Sequence, residues 1–440
     1  MSRVGIVVPT WHYFSDPFKL QPLYELYLAT VLDDYFAGSV EVAMYDLREA
    51  RRHDFSRDPD EIASLVPERD IYLYWIMKSA DSVEMAAISQ CLRKRYPRSV
   101  HVAGGTHVDV FPELSARQFD AIVRGPGEET MKLAVDNACR GCLQRVYTGE
   151  WASVQYRDYP FPRRSFLPED AVVNRALFEK YGRVLGTSVL FSRGCNFRCA
   201  YCVYNVPGTI QIRTPSQIQE EILYLKQEYG VTGINLRDEI CVPMLPKVAT
   251  PFLEAIGSTD VIWRGQTRVG APPDIMKLAK QSGCVELALG VESVSQEVLD
   301  IVQKGQRIED VRRTFAICKE LDIKTKMCLI LGLPGEPRNI LDQTISFIEE
   351  VQPDYVNVSG FCPTPGSRIF EKKDEYGIAA INDNWSKHAH LMMRFSDEEH
   401  FGLPFNYAPE GPWGAAFSNA EILKNIKMLQ TYLRDNNRSY

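Results

Sequence analysis

The sequence lacks the features that would point to nucleic acid or to a membrane. It has no excess of basic residues, since 50 Lys and Arg stand against 57 Asp and Glu, and no basic tract stands out. It also has no run of about 18 uncharged apolar residues, the length that spans a bilayer. We therefore expect neither a nucleic-acid partner nor a membrane partner.

The N-terminus, MSRVGIVVPTWHYF, lacks the charged start, apolar core and small-residue cleavage site of an export signal. The sequence has 11 cysteines, an odd number, so a framework of paired disulfides is not expected. Both observations favour a reducing, cytoplasmic setting. Most of the cysteines stand singly in apolar stretches, where a free thiol packs as a small hydrophobic side chain.

The pattern of strands and helices predicts an α/β protein in four segments. Residues 1–145 alternate short apolar strands with helices, which predicts a doubly wound parallel sheet of the Rossmann type. Residues 146–184 are rich in proline and predict a linker. Residues 185–370 hold six strand–helix units, which predict a barrel, or an open part of one, with its site at the carboxyl ends of the strands. Residues 371–440 predict a short C-terminal segment that covers the barrel, with a helix near 419–434.

The strongest signal for chemistry is a group of three cysteines after the first strand of the predicted barrel. Cys195, Cys199 and Cys202 have the spacing C-x3-C-x2-C. Three thiolates on one loop can bind three irons of a four-iron, four-sulfur (4Fe–4S) cluster and leave the fourth iron free for another ligand. A structural zinc site needs four ligands, and the nearest pair, Cys139 and Cys142, lies in another predicted domain. Three unrelated core cysteines are the alternative, which the polar residues of this loop disfavour.

With Tyr201 directly before its third cysteine, this motif resembles that of the radical S-adenosylmethionine (SAM) enzymes. The resemblance spans about residues 185–370 and implies a partial (βα)6 barrel, with a 4Fe–4S cluster held by the three cysteines. It also implies that SAM binds the open iron through its amino and carboxylate groups. Electron transfer from the reduced cluster then cleaves SAM to methionine and a 5′-deoxyadenosyl radical. An electron donor such as flavodoxin or ferredoxin is implied as a partner.

Residues at the ends of later strands resemble the SAM-facing positions of the same family. Asp238 and Glu239 end the second strand, where the family keeps polar groups for the methionine amino group. Arg268 ends the third strand and is suited to the SAM carboxylate, since a guanidinium can bind a carboxylate through two hydrogen bonds. Glu292 lies in a G-x-E-S…K-G pattern and is expected to face the ribose or amino group. The residues expected at SAM are Tyr201, Asp238, Glu239, Gln266, Arg268, Glu292, Ser293 and Gly332.

The N-terminal segment resembles the cobalamin-binding domain that precedes the barrel in one subgroup of radical SAM enzymes. That subgroup includes many C-methyltransferases and the anaerobic ester cyclase of bacteriochlorophyll synthesis. The matching segments are Gly104–His107, Pro112–Glu113 and Gly125–Glu128. Of these residues, Gly104, Gly105 and His107 are expected beside the corrin if cobalamin binds. Trp75 and Lys78 depart from the subgroup, because their bulk obstructs the close backbone approach that a flat corrin needs. A functional cobalamin site and a domain kept only for packing are both open.

These features predict an enzyme that abstracts hydrogen from an unactivated carbon of a small or medium-sized metabolite. Bound cobalamin would allow methyl transfer to that carbon. Without cobalamin, the substrate radical would eliminate or rearrange, as in the dehydration of a sugar diol. Cys362, near the end of the last barrel strand, is a candidate donor of a hydrogen atom or proton, or a packing residue. A non-enzymatic iron–sulfur or zinc sensor is the alternative of another class.

Overall fold

The structure, a computed structural model, describes residues 1–11, 18, 20–51, 58–203, 208–388 and 402–439. The chain divides into two compact units. Unit 1 consists of Met1–Asn174 with Asn384–Ala389, and unit 2 consists of Arg175–Asp383 with His390–Tyr440. None of the helices within the described ranges is long and apolar enough to cross a membrane.

Unit 1 is built on a six-stranded parallel sheet, as the alternation of strands and helices predicts. Its strands are β1 (Ser2–Val8), β2 (Val40–Asp46), β3 (Ile71–Trp75), β4 (Val100–Gly104), β5 (Ala121–Arg124) and β6 (Val146–Thr148). Its helices are α1 (Leu23–Phe36), α2 (Pro59–Ala63), α3 (Ser79–Arg95), α4 (Thr106–Val110), α5 (Pro112–Gln118), α6 (Gly127–Cys139) and α7 (Glu169–Val172). The strand order is β2-β1-β3-β4-β5-β6, and it reverses between β1 and β3. Ligands of doubly wound sheets bind at the carboxyl ends of the strands beside such a reversal.

Two hydrophobic cores cover the two faces of this sheet, because alternate residues of a strand point to opposite sides. In β3, Leu73 packs in one core, whereas Tyr72 and Tyr74 pack in the other. The edge strand β6 lies within the segment predicted as a linker and pairs with β5 through Ile122 and Val146. Three residues are too few to show an alternating pattern, so the sequence gives no signal for this strand.

Unit 2 is built on a second six-stranded parallel sheet, whose strands lie in the order of the sequence. The strands of unit 2, within this sheet and outside it, are β7 (Gly186–Val189), β8 (Ser192–Arg193), β9 (Gln211–Ile212), β10 (Gly233–Leu236), β11 (Ile262–Arg268), β12 (Cys284–Glu292), β13 (Lys324–Leu331), β14 (Tyr355–Gly360), β15 (Ile378–Ile381), β16 (Phe405–Tyr407), β17 (Glu410–Gly411) and β18 (Gly414–Ala415). Its helices are α8 (Pro215–Tyr229), α9 (Pro246–Gly257), α10 (Pro273–Gln281), α11 (Gln296–Ile301), α12 (Ile308–Glu320), α13 (Ile340–Val351), α14 (Arg368–Glu371) and α15 (Asn419–Asp435). The sheet runs β14-β13-β12-β11-β10-β7, with helices between consecutive strands. This topology is the partial (βα)6 barrel that the sequence predicts.

Local signals explain where the helices of unit 2 begin and end. Thr214 caps α8 by accepting a hydrogen bond from the Gln217 backbone, and Gly230 ends the helix in the left-handed conformation at φ 65°. The final helix, α15, packs against β14. Beyond it, the Arg438 carbonyl accepts a hydrogen bond of 2.8 Å from the Val356 N–H in β14. The C-terminal residues therefore cover the last strand of the barrel.

Candidate functional site

The three clustered cysteines lie on one loop at the carboxyl end of β7. The antiparallel pair β8–β9 closes this loop at its base. None of the three thiols forms a disulfide, and all three are partly buried. No three His, Cys, Asp or Glu side chains among the described residues converge on a single metal ion. In a four-iron cluster each thiolate binds a different iron, so its cysteines need not converge on one point. The absence of a converging group therefore bears only on sites for a single metal ion.

The middle of the cysteine loop is fixed by the backbone of Ala200. This residue is fully buried, and its N–H donates to the Val302 carbonyl at 2.8 Å. Its own carbonyl accepts a hydrogen bond of 2.9 Å from the Ile369 N–H. The backbone N–H and carbonyl of Ala200, which lies between Cys199 and Cys202, are therefore both hydrogen-bonded to distant parts of the barrel. Within the loop, the Cys202 N–H donates to the Cys199 carbonyl at 3.0 Å.

Asp238, at the end of β10, holds the start of the cysteine loop. It is fully buried and accepts hydrogen bonds from the Ser192 hydroxyl at 2.5 Å and the Phe191 N–H at 3.2 Å. Burial raises the pKa of this carboxyl to about 6, although these hydrogen bonds act in the opposite direction. The side chain that was expected at SAM is therefore engaged with the chain just before the cysteines.

Glu239, the next residue, has a buried carboxyl with one oxygen that lacks a hydrogen-bond partner among the described residues. Its Oε2 atom has no hydrogen bond to any described residue. Burial raises the pKa of Glu239 to about 8, so the group is mostly neutral at pH 7. The electrostatic influence of Glu239 reaches the Cys195 thiol. A cation placed beside Glu239 would favour its charged form and satisfy the buried oxygen.

Arg268, at the end of β11, contacts the cysteine loop directly. Its Nη1 lies 3.4 Å from Cys199 Sγ, and its guanidinium carbon lies 3.7 Å from the centre of the Phe197 ring. Its Nη2 donates to the carbonyls of Lys304 and Gly305. The guanidinium is thus held by the protein itself. Its expected pairing with the SAM carboxylate stays a prediction.

Gln266 lies two residues before Arg268 on the same strand, so the two side chains point to the same side of the sheet. The Gln266 side chain is exposed within unit 2, and its backbone carbonyl accepts a hydrogen bond of 2.9 Å from the Cys241 N–H. This side chain makes no hydrogen bond to another described residue. Its role at SAM also stays a prediction.

The G-x-E-S…K-G pattern forms a buried ion pair at the end of β12. Lys304 Nζ lies 2.9 Å from Glu292 Oε1, and the two side chains are 6% and 14% exposed. Glu292 adopts a positive φ of 68° where the pairing of β12 with β13 breaks register. Such a conformation costs about 1–3 kcal/mol for a residue other than glycine and is typical of functional sites. Ser293 accepts a hydrogen bond of 3.2 Å from the Ser295 N–H, which leads into α11.

Three further residues that the sequence predicts at the site are Tyr201, Gly332 and Cys362. Burial, and then the Glu292 carboxylate, raise the pKa of Tyr201 well above its ordinary value. The N–H of Gly332, at φ 90°, donates to Glu336 at 2.9 Å. Cys362 is 4% exposed, and burial raises the pKa of its thiol, which stays protonated. The structure thus brings Tyr201 to the ion pair and places Cys362 in the hydrophobic interior.

At the carboxyl edge of the sheet in unit 1, two buried polar atoms lack partners among the described residues. They are Trp75 Nε1 and His107 Nε2. Trp75 stacks on Tyr24 with ring centres 5.5 Å apart and an interplanar angle of 18°. His107 bonds to the Ser79 hydroxyl at 2.9 Å through Nδ1, and burial lowers its pKa to about 4. Its imidazole is therefore neutral at pH 7.

The glycines predicted beside a corrin serve the packing of unit 1. Gly105 has a φ of 107°, and a Cβ there would lie 2.7 Å from the Ile76 carbonyl oxygen. At Gly104, a Cβ would meet the Val123 carbonyl oxygen at 3.3 Å. The space that these glycines leave is therefore taken by neighbouring backbone. Lys78 ends the loop after β3 and precedes α3 without capping it through its side chain.

Residues 189–348 match the family model described as the Radical SAM superfamily. The chain carries a radical SAM domain. This domain implies a 4Fe–4S cluster and SAM, and it confirms the enzyme class that the cysteine motif predicts. The matched residues include the cysteine loop and β10 to β13.

Two curated relatives align with most of the chain. An uncharacterized methyltransferase of Pyrococcus horikoshii is 27% identical over 370 residues, which cover 77% of this chain and 78% of the relative. The anaerobic magnesium-protoporphyrin IX monomethyl ester cyclase of Rubrivivax gelatinosus is 26% identical over 326 residues. That alignment covers 64% of this chain and 55% of the cyclase, so the chain spans about half of that relative.

Two solved structures share the fold of this chain. The methyltransferase TsrM of Kitasatospora setae, with tryptophan and a SAM analogue bound, has a TM-score of 0.68 at 18% identity, over 94% of this chain and 86% of that one. OxsB, a cobalamin-dependent SAM radical enzyme with aqua-cobalamin bound, has a TM-score of 0.66 at 15% identity. That match covers 99% of this chain and 67% of OxsB. These likenesses confirm the fold predicted from the sequence.

Sequence reasoning missed two residues that position the radical SAM site. Ala200 looks like filler between cysteines, and only the hydrogen bonds of its backbone reveal its role. Ser192, which binds Asp238, is a common residue at a strand end. The only sequence signal for its role is its position, three residues before the first cysteine.

Proposed function

We propose that this chain is a cobalamin-dependent radical SAM methyltransferase that acts on a small or medium-sized metabolite. The observation that carries the proposal is the fixed cysteine loop, whose three thiols form no disulfide and whose Cys195 lies within the electrostatic influence of Glu239. One buried oxygen of Glu239 has no hydrogen-bond partner among the described residues. The relative of Pyrococcus horikoshii, aligned over most of its length, supports methyl transfer. Elimination and rearrangement have no support among the relatives named above, and we do not propose them.

The residues present fit a cluster and SAM. Cys195, Cys199 and Cys202 would hold three irons, since thiolates are the usual ligands of such clusters. Glu239 would receive the ammonium of SAM, because a cation would bring this carboxyl into its charged form and pair its free oxygen. The Glu292–Lys304 pair offers a carboxylate and an ammonium to the polar groups of SAM.

Bound there, a reduced cluster and SAM would supply a 5′-deoxyadenosyl radical, and bound cobalamin would supply a methyl group. The chain itself positions these reactants. Asp238 holds the start of the cysteine loop, and the Ala200 backbone holds its middle. Tyr201 and Arg268 surround the thiols with buried side chains. We assign no reactive role to Cys362, whose neutral thiol lies in the interior.

The carboxyl edge of unit 1 fits a ligand that is rich in amides, as cobalamin is. Trp75 Nε1 and His107 Nε2 are buried and without partners among the described residues. An unsatisfied buried group costs about 1–3 kcal/mol, which a ligand amide would recover by bonding to it. Trp75 also lies at the end of β3, beside the reversal in strand order where doubly wound sheets bind ligands.

The cluster is tested by anaerobic purification and reconstitution of the full chain. The wild type should bind iron and sulfide and release 5′-deoxyadenosine from SAM after reduction with dithionite. Cys199→Ala should lose the cluster absorbance and SAM cleavage, because one missing ligand leaves the cluster labile. Cys142→Ala, at an exposed thiol outside the loop, is the matched control and should retain both. Wild-type iron content in Cys199→Ala would overturn the assignment.

Cobalamin is tested by gel filtration after incubation with hydroxocobalamin. We expect the wild type to retain cobalamin, as measured from its visible absorbance. Trp75→Phe keeps an aromatic ring against Tyr24 but removes the indole N–H, so it should retain less. If the wild type retains none and forms product without cobalamin, the methyltransferase proposal is wrong and unit 1 is a scaffold.

A further inference from the structure

We propose that Arg268 sets the reduction potential of the bound cluster through a charged hydrogen bond to one of its ligands. The inference rests on the proposed function, in which Cys199 binds an iron. Arg268 Nη1 lies 3.4 Å from Cys199 Sγ, within the range of an N–H···S hydrogen bond. Hydrogen bonds to the sulfurs, net charge and exposure are the factors that set the potentials of iron–sulfur clusters.

The structure keeps this guanidinium in place beside the sulfur. Arg268 is 6% exposed, and its Nη2 donates to the Lys304 carbonyl and, at 3.4 Å, to the Gly305 carbonyl. The Phe197 ring covers one face of the guanidinium, with 3.7 Å between ring centre and carbon. These three contacts come from two separate loops, so the guanidinium is braced on both sides. Turning it toward another ligand would break at least one of them.

The charge of Arg268 is not neutralised by a carboxylate within the described parts of unit 2. Its contacts are a sulfur, two carbonyl oxygens and an aromatic ring. The neighbouring carboxylate of Glu292 is paired with Lys304 instead. A whole positive charge therefore faces the cysteine loop in surroundings that screen it poorly.

The sign of the effect follows from the charge that reduction adds. A low-potential one-electron donor passes one electron to the site, which becomes more negative by one unit. A fixed positive charge and an N–H donor at the sulfur both favour that more negative state. Removing them should make the potential more negative, so that reduction becomes harder. Arg268 is thus a positioning residue, which acts on the reaction through Cys199.

The experiment is a potentiometric titration of the reconstituted full chain, followed by electron paramagnetic resonance without SAM. In Arg268→Gln, the ratio of reduced to oxidised cluster at a fixed solution potential should fall about tenfold, which is 59 mV for a one-electron couple. Arg268→Lys keeps the charge and should shift less. Phe197→Leu removes the ring but leaves the guanidinium, and it should keep a potential close to that of the wild type.

If Arg268→Gln does not retain iron, Arg268→Met is measured in its place. Its uncharged side chain is long enough to pack against Phe197. Unchanged potentials in the uncharged variants would overturn the inference. Unchanged potentials together with weaker SAM binding would assign the guanidinium to the SAM carboxylate, as the sequence predicts. If the wild type assembles no cluster, the proposed function fails, and this outcome is distinct from a failure of the inference.

Discussion

Substituting Gly290 with alanine tests whether the Glu292–Lys304 ion pair binds SAM. A Cβ at this position would lie 2.8 Å from Glu292 Oε1 and 3.2 Å from Lys304 Nζ, which is too close for the pair to stay where it is. Both atoms end flexible side chains, so the pair can move without displacing the strands. The variant should therefore fold and assemble its cluster.

The expected magnitude follows from the burial of the pair. Its contact of 2.9 Å joins side chains that are 6% and 14% exposed. Loss of a hydrogen bond to a charged group costs about 1.5–3 kcal/mol, which corresponds to a loss of about 10- to 150-fold in SAM affinity. Isothermal titration of SAM into anaerobic protein of matched iron content measures this change. Gly402→Ala is the control, because a Cβ there meets nothing within 4 Å. Wild-type affinity in Gly290→Ala would refute the role of the pair.

Two further predictions concern buried carboxyls. Burial raises the pKa of Glu336 to about 8. An unfolded Glu ionises near its ordinary pKa of 4.5, so the free energy of unfolding should fall as the pH rises from there to about 8. In Glu336→Gln, the free energy of unfolding should fall less over this pH range, as measured by denaturant titrations at several pH values. An equal fall in the variant and the wild type would contradict the prediction. Asp238→Asn should release iron to a chelator faster than the wild type, because a weaker acceptor for Ser192 loosens the loop. Ser192→Ala should do the same, and wild-type release rates in both would show that this bond does not hold the loop.

The strands of both units could be predicted because apolar runs and turns are local signals. The six strand–helix units predicted within residues 185–370 correspond to β7 and β10 to β14 with their helices, and the final helix near 419–434 is α15. The cysteine motif also lies within eight residues of sequence, so its chemistry is readable without the fold. The enzyme class therefore followed from the sequence.

The partners of the site residues could not be predicted, because they come from distant parts of the chain. Arg268 bonds to carbonyls 36 and 37 residues away, and Asp238 bonds to a hydroxyl 46 residues away. Which carbonyl or hydroxyl reaches a strand end depends on how the barrel closes. A guanidinium at a strand end looks available for a ligand in the sequence, whereas in the structure the protein occupies it. The electron donor and the absence of a nucleic-acid partner stay predictions.

The two hydrogen bonds of Ala200 have a consequence for the order of maturation. A growing chain that has reached Cys202 already carries all three thiols, but Ile369 follows 167 residues later, as 369 minus 202. At 5–20 residues per second, the ribosome needs roughly 8–35 s to add them. Until then, the Ala200 carbonyl lacks the Ile369 N–H, so the middle of the loop has only one of its two backbone anchors. Iron and sulfide delivered during synthesis would meet a partly anchored loop, so insertion of the cluster should be a late event, after Ile369 has been added and the barrel has folded.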